Sequence, residues 1–177
     1  MEKSNKKKMK RFVAVLLAGV MALAMLTACG CGSSTPTSDV DKAEALYMDI
    51  YNAALGTDAD YENDAELKTQ AKQFLEKSLN EDGTLKSGEK MTSNKYETLS
   101  VRTTFMILAQ TGNENVPYGI TSKELALVNK DEAIAEVRNN FGKMGVTKET
   151  TTRLAVGAVK KGDKIYVAIA VKTEQKK

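Results

Sequence analysis

Histidine is absent from the 177-residue chain. That excludes Ser-His-Asp and Cys-His nucleophile systems, and with them the usual zinc sites built on imidazole. Acid–base chemistry, if there is any, falls to Asp, Glu, Lys or Tyr. Cysteine is nearly as scarce. Cys29 and Cys31 are the two in the chain; they are too close in sequence for a useful structural disulfide, and no other cysteine offers a partner. The fold must hold by packing alone. Cys31 lies in a Gly-Ser tether without a base, so it is not expected to act as a catalytic thiol. Aromatic residues make up only 6% of the chain, yet apolar residues suffice for one core.

Long apolar runs are also few, and the one present lies near the N-terminus. Lys3, Lys6, Lys7, Lys8, Lys10 and Arg11 form a positive head, and Phe12 to Leu26 is an uncharged core of apolar residues and Gly. Leu26-Thr27-Ala28-Cys29 follows as a small-residue cleavage site. This quartet resembles the lipobox of bacterial lipoproteins. The resemblance implies a signal peptide over residues 1–28, cleaved just before Cys29 by signal peptidase II. The new N-terminal Cys29 then carries a diacylglyceryl thioether and often an N-acyl chain. An uncleaved transmembrane anchor is the competing reading, but the core is shorter than the roughly 20 residues a span requires. The expected location is the outer face of the bacterial cytoplasmic membrane, with the membrane as a partner through the lipidated terminus.

Six of the 26 basic residues and one of the 23 acidic residues lie in that leader, so the remaining 149 residues carry a net charge of −2 rather than +3. A nucleic-acid partner therefore has no electrostatic support. Residues 29–37 read as a flexible tether rich in Gly, Ser and Thr. Residues 38–177 have the size of one ordinary domain.

Ser38 is a good N-cap, with Asp39 and Asp41 in the first turn. Ala43, Tyr47, Ile50 and Ala54, with Leu46 alongside, make an apolar stripe on a helix that ends near Leu55-Gly56. Asp58 to Asp64 alternates acids much as a calcium loop does. Counted from Asp58, however, Asn63 and Thr69 occupy the positions where an EF-hand needs Gly and Glu, so a solvated loop is expected. Asn63 and Glu66 resemble a capping box, followed by Leu67, Ala71, Phe74 and Leu75 on a second amphipathic helix that finishes near Leu79-Asn80. Asn80 to Asn94 is rich in turn residues and reads as an irregular loop.

From Thr98 to Gln110 the period changes to two. Leu99, Val101, Thr103, Phe105, Ile107 and Ala109 share one side, a strand signal with helix as a competitor over Phe105–Ala109. Gly112 to Pro117 breaks it. Thr121 or Ser122 caps a short helix over Leu125 and Leu127. Asn129 and Glu132 then cap a third main helix carrying Ala133, Ile134, Val137 and Phe141, closed by Gly142. Last comes a β-hairpin, Arg153 to Val159 and Lys164 to Val171, turning at Lys160-Lys161-Gly162-Asp163. Ile165, Val167, Ile169 and Val171 lie opposite Tyr166, Ala168 and Ala170; Leu154, Val156 and Ala158 lie opposite Ala155, Gly157 and Val159. A hairpin with one wet face would alternate apolar with polar. Two apolar faces, one bulky and one small, predict a sheet covered by helices on both sides, with close approach on the small face. The fold class expected is α+β, a three-layer α-β-α sandwich with the hairpin in its central sheet.

Several stretches resemble the CAP (SCP-like) superfamily, whose fold is an α-β-α sandwich. Tyr51-Asn52-Ala53-Ala54-Leu55 stands where the family has an Asn in its first helix, without the Arg that follows. Ala65 to Leu79 is similar to the Ala-rich second helix, and Asp131 to Val137 to the helix that opens on paired acids. Thr152-Arg153-Leu154-Ala155-Val156-Gly157-Ala158-Val159 and Ile165-Tyr166-Val167 resemble the last strands. The family's cleft carries two His and two acids that bind a metal in some members. Here both histidines are gone, and Asn139 to Lys143 replaces the His-containing segment. Glu97 could stand for the strand-entry Glu, but one acid makes no tetrad. The resemblance implies the fold without the metal.

The expected function is a non-catalytic, membrane-tethered binding or scaffold domain with no cofactor, its groove holding a peptide, a lipid or a cell-wall fragment. One alternative is a wall-active hydrolase working with two carboxylates alone, drawn from Glu89, Glu97 and Glu132. Another is an accessory lipoprotein for folding, transport or sporulation, which would show large exposed apolar patches. The Lys160-Lys161 pair and the terminal Lys176-Lys177 read as solvated ends.

Overall fold

The computed structural model describes residues 38–175. The leader, Cys29, Cys31, the tether up to Thr37 and the terminal Lys176-Lys177 lie outside them. The chain is α+β, with helices and antiparallel strands. Helix α1 spans Asp39–Leu55 and opens on Ser38, whose side chain and Asp41 form a reciprocal capping box. Helix α2 spans Ala65–Ser78. Strands β1 (Thr92–Tyr96), β2 (Val101–Ile107), β3 (Ala109–Gln110), β4 (Asn113–Pro117) and β5 (Gly119–Thr121) follow. A short helix α3 (Ser122–Leu125) and helix α4 (Lys130–Met144) precede the hairpin of β6 (Thr151–Lys161) and β7 (Lys164–Glu174).

Strand β7 is the centre of the main sheet. It pairs along its length with β6, and its other edge takes β2 over Ala168–Glu174 and β5 over Lys164–Tyr166. Strand β1 extends the sheet beyond β2, and β3 with β4 forms a separate small hairpin. Every pairing is antiparallel.

The alternation along β6 and β7 divides the core. Leu154, Val156, Ala158, Ile165, Val167, Ile169 and Val171 pack with Tyr47, Ile50 and Tyr51 of α1 and Val137 and Phe141 of α4. Ala155, Val159, Tyr166, Ala168 and Ala170 pack with Leu67, Ala71 and Leu75 of α2 and with Phe105 and Ile107 of β2. The small side is small because α2 lies close. A Cβ built on Gly157 would stand 2.8 Å from the Lys68 carbonyl oxygen and 2.9 Å from the Lys72 nitrogen. Only a residue without a side chain admits the helix backbone there.

Several local expectations need correction. Asp64, not Asn63, caps α2 by accepting the Leu67 N–H; Asn63 is taken by the sheet edge instead. Helix α4 runs past Gly142 to Met144 and ends at Gly145, which takes the left-handed conformation at φ +65°. The period-two stretch becomes β2 only from Val101, and Leu99 is fully exposed in the preceding turn. Strand β1 begins at Thr92, within the stretch to Asn94 read as irregular, and runs past it to Tyr96, paired along its length with β2. Strands β4 and β5 were likewise hidden by the turn residues around Gly112 and Pro117. The hairpin turn is tighter than expected, with Lys161 still paired to Lys164 across Gly162-Asp163.

Candidate functional site

A cleft lies where β2 gives way to β3, along helix α4. Asn129, Glu132, Ala133, Glu136, Val137 and Asn140 fall at three-and-four spacing, so one face of α4 forms a wall. Two lobes share Met106, Ile107, Ala109, Glu136 and Asn140. The larger holds about 830 Å³ and reaches toward Glu89, Met91, Glu114 and Lys143. The smaller holds about 460 Å³ and is bounded by Tyr47, Tyr51, Tyr118, Leu108 and Val128. Both volumes suit small-molecule sites, which run roughly 300–1,000 Å³.

The tyrosines of the smaller lobe are fixed from below. Tyr51 stacks on Phe141 with ring centroids 5.7 Å apart, and Tyr47 lies 6.4 Å from Tyr51. Burial, reinforced by Tyr118 and Glu136, pushes the Tyr47 hydroxyl up to about 12. Burial also raises Tyr51, with Tyr47 and Glu136 adding to it, and it raises Tyr118, with Glu124 adding. All three stay neutral hydroxyls over the physiological range.

The three carboxylates singled out in the sequence do not line one lobe together. Glu89 borders the larger lobe and pairs with Lys77 at 3.4 Å. Glu132 borders the smaller one. Glu97 lines neither, and its carboxylate accepts from Lys172 at 2.6 Å, the contact that chiefly lowers its pKa. The acidic loop disperses as well. Asp58 pairs with Lys148, and Asp64 takes Arg153 at 2.6 Å. Among the described residues no three acids gather as a metal site. Lys161 departs from the solvated end expected of it. Its side chain is 3% exposed and held by Glu76 at 3.1 Å and Glu81 at 3.2 Å. Burial works to lower its pKa, and the two carboxylates outweigh that and raise it. Cys29, expected to carry the lipid, lies outside the described residues.

A second polar cluster was not foreseen. Glu44 of α1 is buried, with its Oε1 accepting the Ala158 N–H at 3.0 Å. Lys72 stands 2.8 Å from the same oxygen and Lys68 2.5 Å from Oε2. Glu44 borders the apolar stripe of α1, next to Ala43, so its position in the helix was the available signal. What it meets was not readable, because both lysines come from α2 and the amide from β6. The cluster closes part of the outer edge of β6.

Compared with protein-family models, curated proteins and solved structures, the chain gives no match in any of the three.

Proposed function

We propose that the chain is a lipid-anchored, extracytoplasmic binding domain of CAP-like fold, without the histidine metal site and without catalytic activity. The observation that carries the reading is the cleft along α4, whose two lobes have the volume of ligand sites and share one floor. The three-layer α-β-α arrangement is supported by the division of the core, with α1 and α4 against the bulky side of the hairpin and α2 against the small side. The carboxylate-only hydrolase is disfavoured because Glu97 lines neither lobe and Glu89 and Glu97 are each held by a lysine, whereas that chemistry needs two acids facing one bond.

Attachment through Cys29 draws support from the Leu26-Thr27-Ala28-Cys29 quartet and the charged, apolar leader ahead of it. At least two acyl chains on that residue make a firm anchor. The groove then faces the outside of the bacterial cytoplasmic membrane, where peptides, lipids and wall fragments are the available ligands.

Two measurements test the reading. Radiolabelled palmitate fed to cells expressing the whole chain is expected to label it, and Cys29→Ala to abolish both label and membrane association; label that survives the substitution sinks the anchor. A fragment screen by amide NMR is expected to move resonances lining the cleft. Shifts confined to other surfaces would sink the binding domain.

A further inference from the structure

We propose that β1 takes an added strand from a partner, an extended polypeptide segment carrying acidic residues; the inference rests on the binding-domain reading and names its ligand class. In an antiparallel pair, residues alternate between those bonded to the neighbour and those turned away from it. Two bonds set the phase of β1. Ile107 donates to the Met91 carbonyl at 2.8 Å and Glu97 to the Val101 carbonyl at 3.0 Å, so the odd-numbered residues of β1 face β2. The N–H and C=O groups of Thr92, Asn94 and Tyr96 therefore point away from β2, along the free edge. Among the described residues no other strand and no loop backbone pairs with them, and the whole strand is exposed. The Asn94 side chain does not cover its own edge, because it accepts from the Thr104 hydroxyl at 2.7 Å. The opposite edge of the sheet is treated differently: Asn63, the Asp64 N–H and Glu44 occupy the outer side of β6.

A row of N–H and C=O groups at strand spacing is complemented by another backbone in extended form. Charge decides between a second copy and a foreign segment. Lys90 and Lys95 lie along the edge and are exposed. Neither forms a salt bridge among the described residues, and Lys95 acts on Glu97 only at longer range. The acids beside them are engaged elsewhere, Glu89 with Lys77 at 3.4 Å and Glu97 with Lys172 at 2.6 Å. Pairing with a second copy about Asn94 would set the two Lys95 side chains diagonally across one face, where like charges repel. A segment with acids near those positions is attracted instead. The edge also leads to the cleft: Glu89, Lys90, Met91 and Thr92 line the larger lobe. A strand laid along β1 therefore runs from the exposed Tyr96 to that lobe.

The test is amide exchange by NMR on the whole chain in maltoside micelles, with the end-blocked peptide Glu-Val-Thr-Val-Thr-Glu as probe. Saturating peptide is expected to slow exchange at Thr92, Asn94 and Tyr96 at least tenfold. Ser93 and Lys95, already bonded to β2, are expected to stay unchanged. A copy methylated on every amide nitrogen and a copy with Lys at both ends are each expected to bind at least tenfold more weakly. The double variant Lys90→Glu/Lys95→Glu changes two exposed side chains and should reverse the preference between the acidic and basic peptides. Asn94→Pro removes an outward N–H that β2 does not use; it should abolish the slowing while the melting temperature holds within a few degrees. Equal binding of the methylated or the basic peptide, or slowing without the alternating pattern, overturns strand addition by an acidic segment. Concentration-dependent slowing at Thr92, Asn94 and Tyr96 without peptide would seat a second copy there and overturn the foreign segment. If the peptide leaves the edge unmoved while small fragments still shift the cleft, strand addition falls and the binding domain stands. If neither moves anything, both fall.

Discussion

The side-chain amide of Asn63 pairs with both backbone groups of Val156, accepting its N–H at 3.0 Å and donating to its carbonyl at 3.0 Å. The Asp64 N–H reaches the Leu154 carbonyl at 3.2 Å, and Glu44 takes the Ala158 N–H. Strand β6 is thus an edge strand whose outer ladder is filled by two side chains and one loop amide. An open edge of that length would be a template for another chain.

Asn63→Ala removes both bonds and leaves two backbone groups of a buried strand residue unpaired. A loss of about 1–3 kcal/mol in urea unfolding is expected, together with a concentration-dependent dimer by sedimentation. Wild-type stability in the variant would mean that water replaces the amide.

Glu44 sits with its side chain 3% exposed between Lys68 and Lys72. Replacing both lysines by Met strands that carboxylate, and a cost of about 3–5 kcal/mol is expected. Adding Glu44→Gln should recover most of it, since the amide oxygen still accepts from Ala158. A triple variant no better than the double would show that the lysines act through packing.

Gly157→Ala places a methyl 2.8 Å from the Lys68 carbonyl and 3.0 Å from the Ala71 Cβ. Overpacking of about 1–3 kcal/mol is expected in thermal melts. Gly142→Ala is the contrast: it lies within α4 with open space around its Cβ position, so a gain of about 0.5–1 kcal/mol is expected. Equal effects from the two substitutions would refute the close approach of α2 to β6.

The Arg153 guanidinium, bonded to Asp64, is the main cause that lowers the Asp64 pKa; its capping bond from Leu67 adds to that. A carboxyl depressed in the folded state stabilises at pH values above its unfolded value of about 3.9 and loses that contribution as pH falls through the lower folded value. Asp64→Asn keeps a capping oxygen and removes the charge. Its deficit against wild type should therefore be constant near neutrality and shrink below about pH 4, as read by urea melts across pH. A deficit that persists unchanged into strong acid would assign the effect to the cap.

The legible parts of the fold were those with local causes. Ser38 with Asp41, Thr121 with Glu124 and Asn129 ahead of α4 are capping signals contained in four residues, and the two-faced hairpin is written in its own alternation. Asn63 read as the cap of α2, and only the approach of β6 turned it to the sheet and left that role to Asp64. The cleft was partly legible: Glu89 and Glu132 were named as candidate carboxylates, and Glu132 as a cap as well, whereas Glu136, Tyr47 and Tyr118 come together from distant parts of the chain. Their meeting depends on how α1 and α4 pack, and no local period encodes that.

The amino-acid sequence by itself determined the helices, the hairpin and the absence of imidazole chemistry, because these follow from side-chain type and from spacings of two to four residues. Only the tertiary structure decided that Glu44 would be buried between two lysines, that Lys161 would be enclosed, and that Glu132 and Glu136 would line one lobe with three tyrosines. Those outcomes depend on which charges are brought together from different elements, Glu44 of α1 with Lys68 and Lys72 of α2, and Lys161 of β6 with Glu76 and Glu81 across 80 residues or more of chain. The pairing of charges in space is set by packing, since the favourable burial of apolar faces is what brings the elements together.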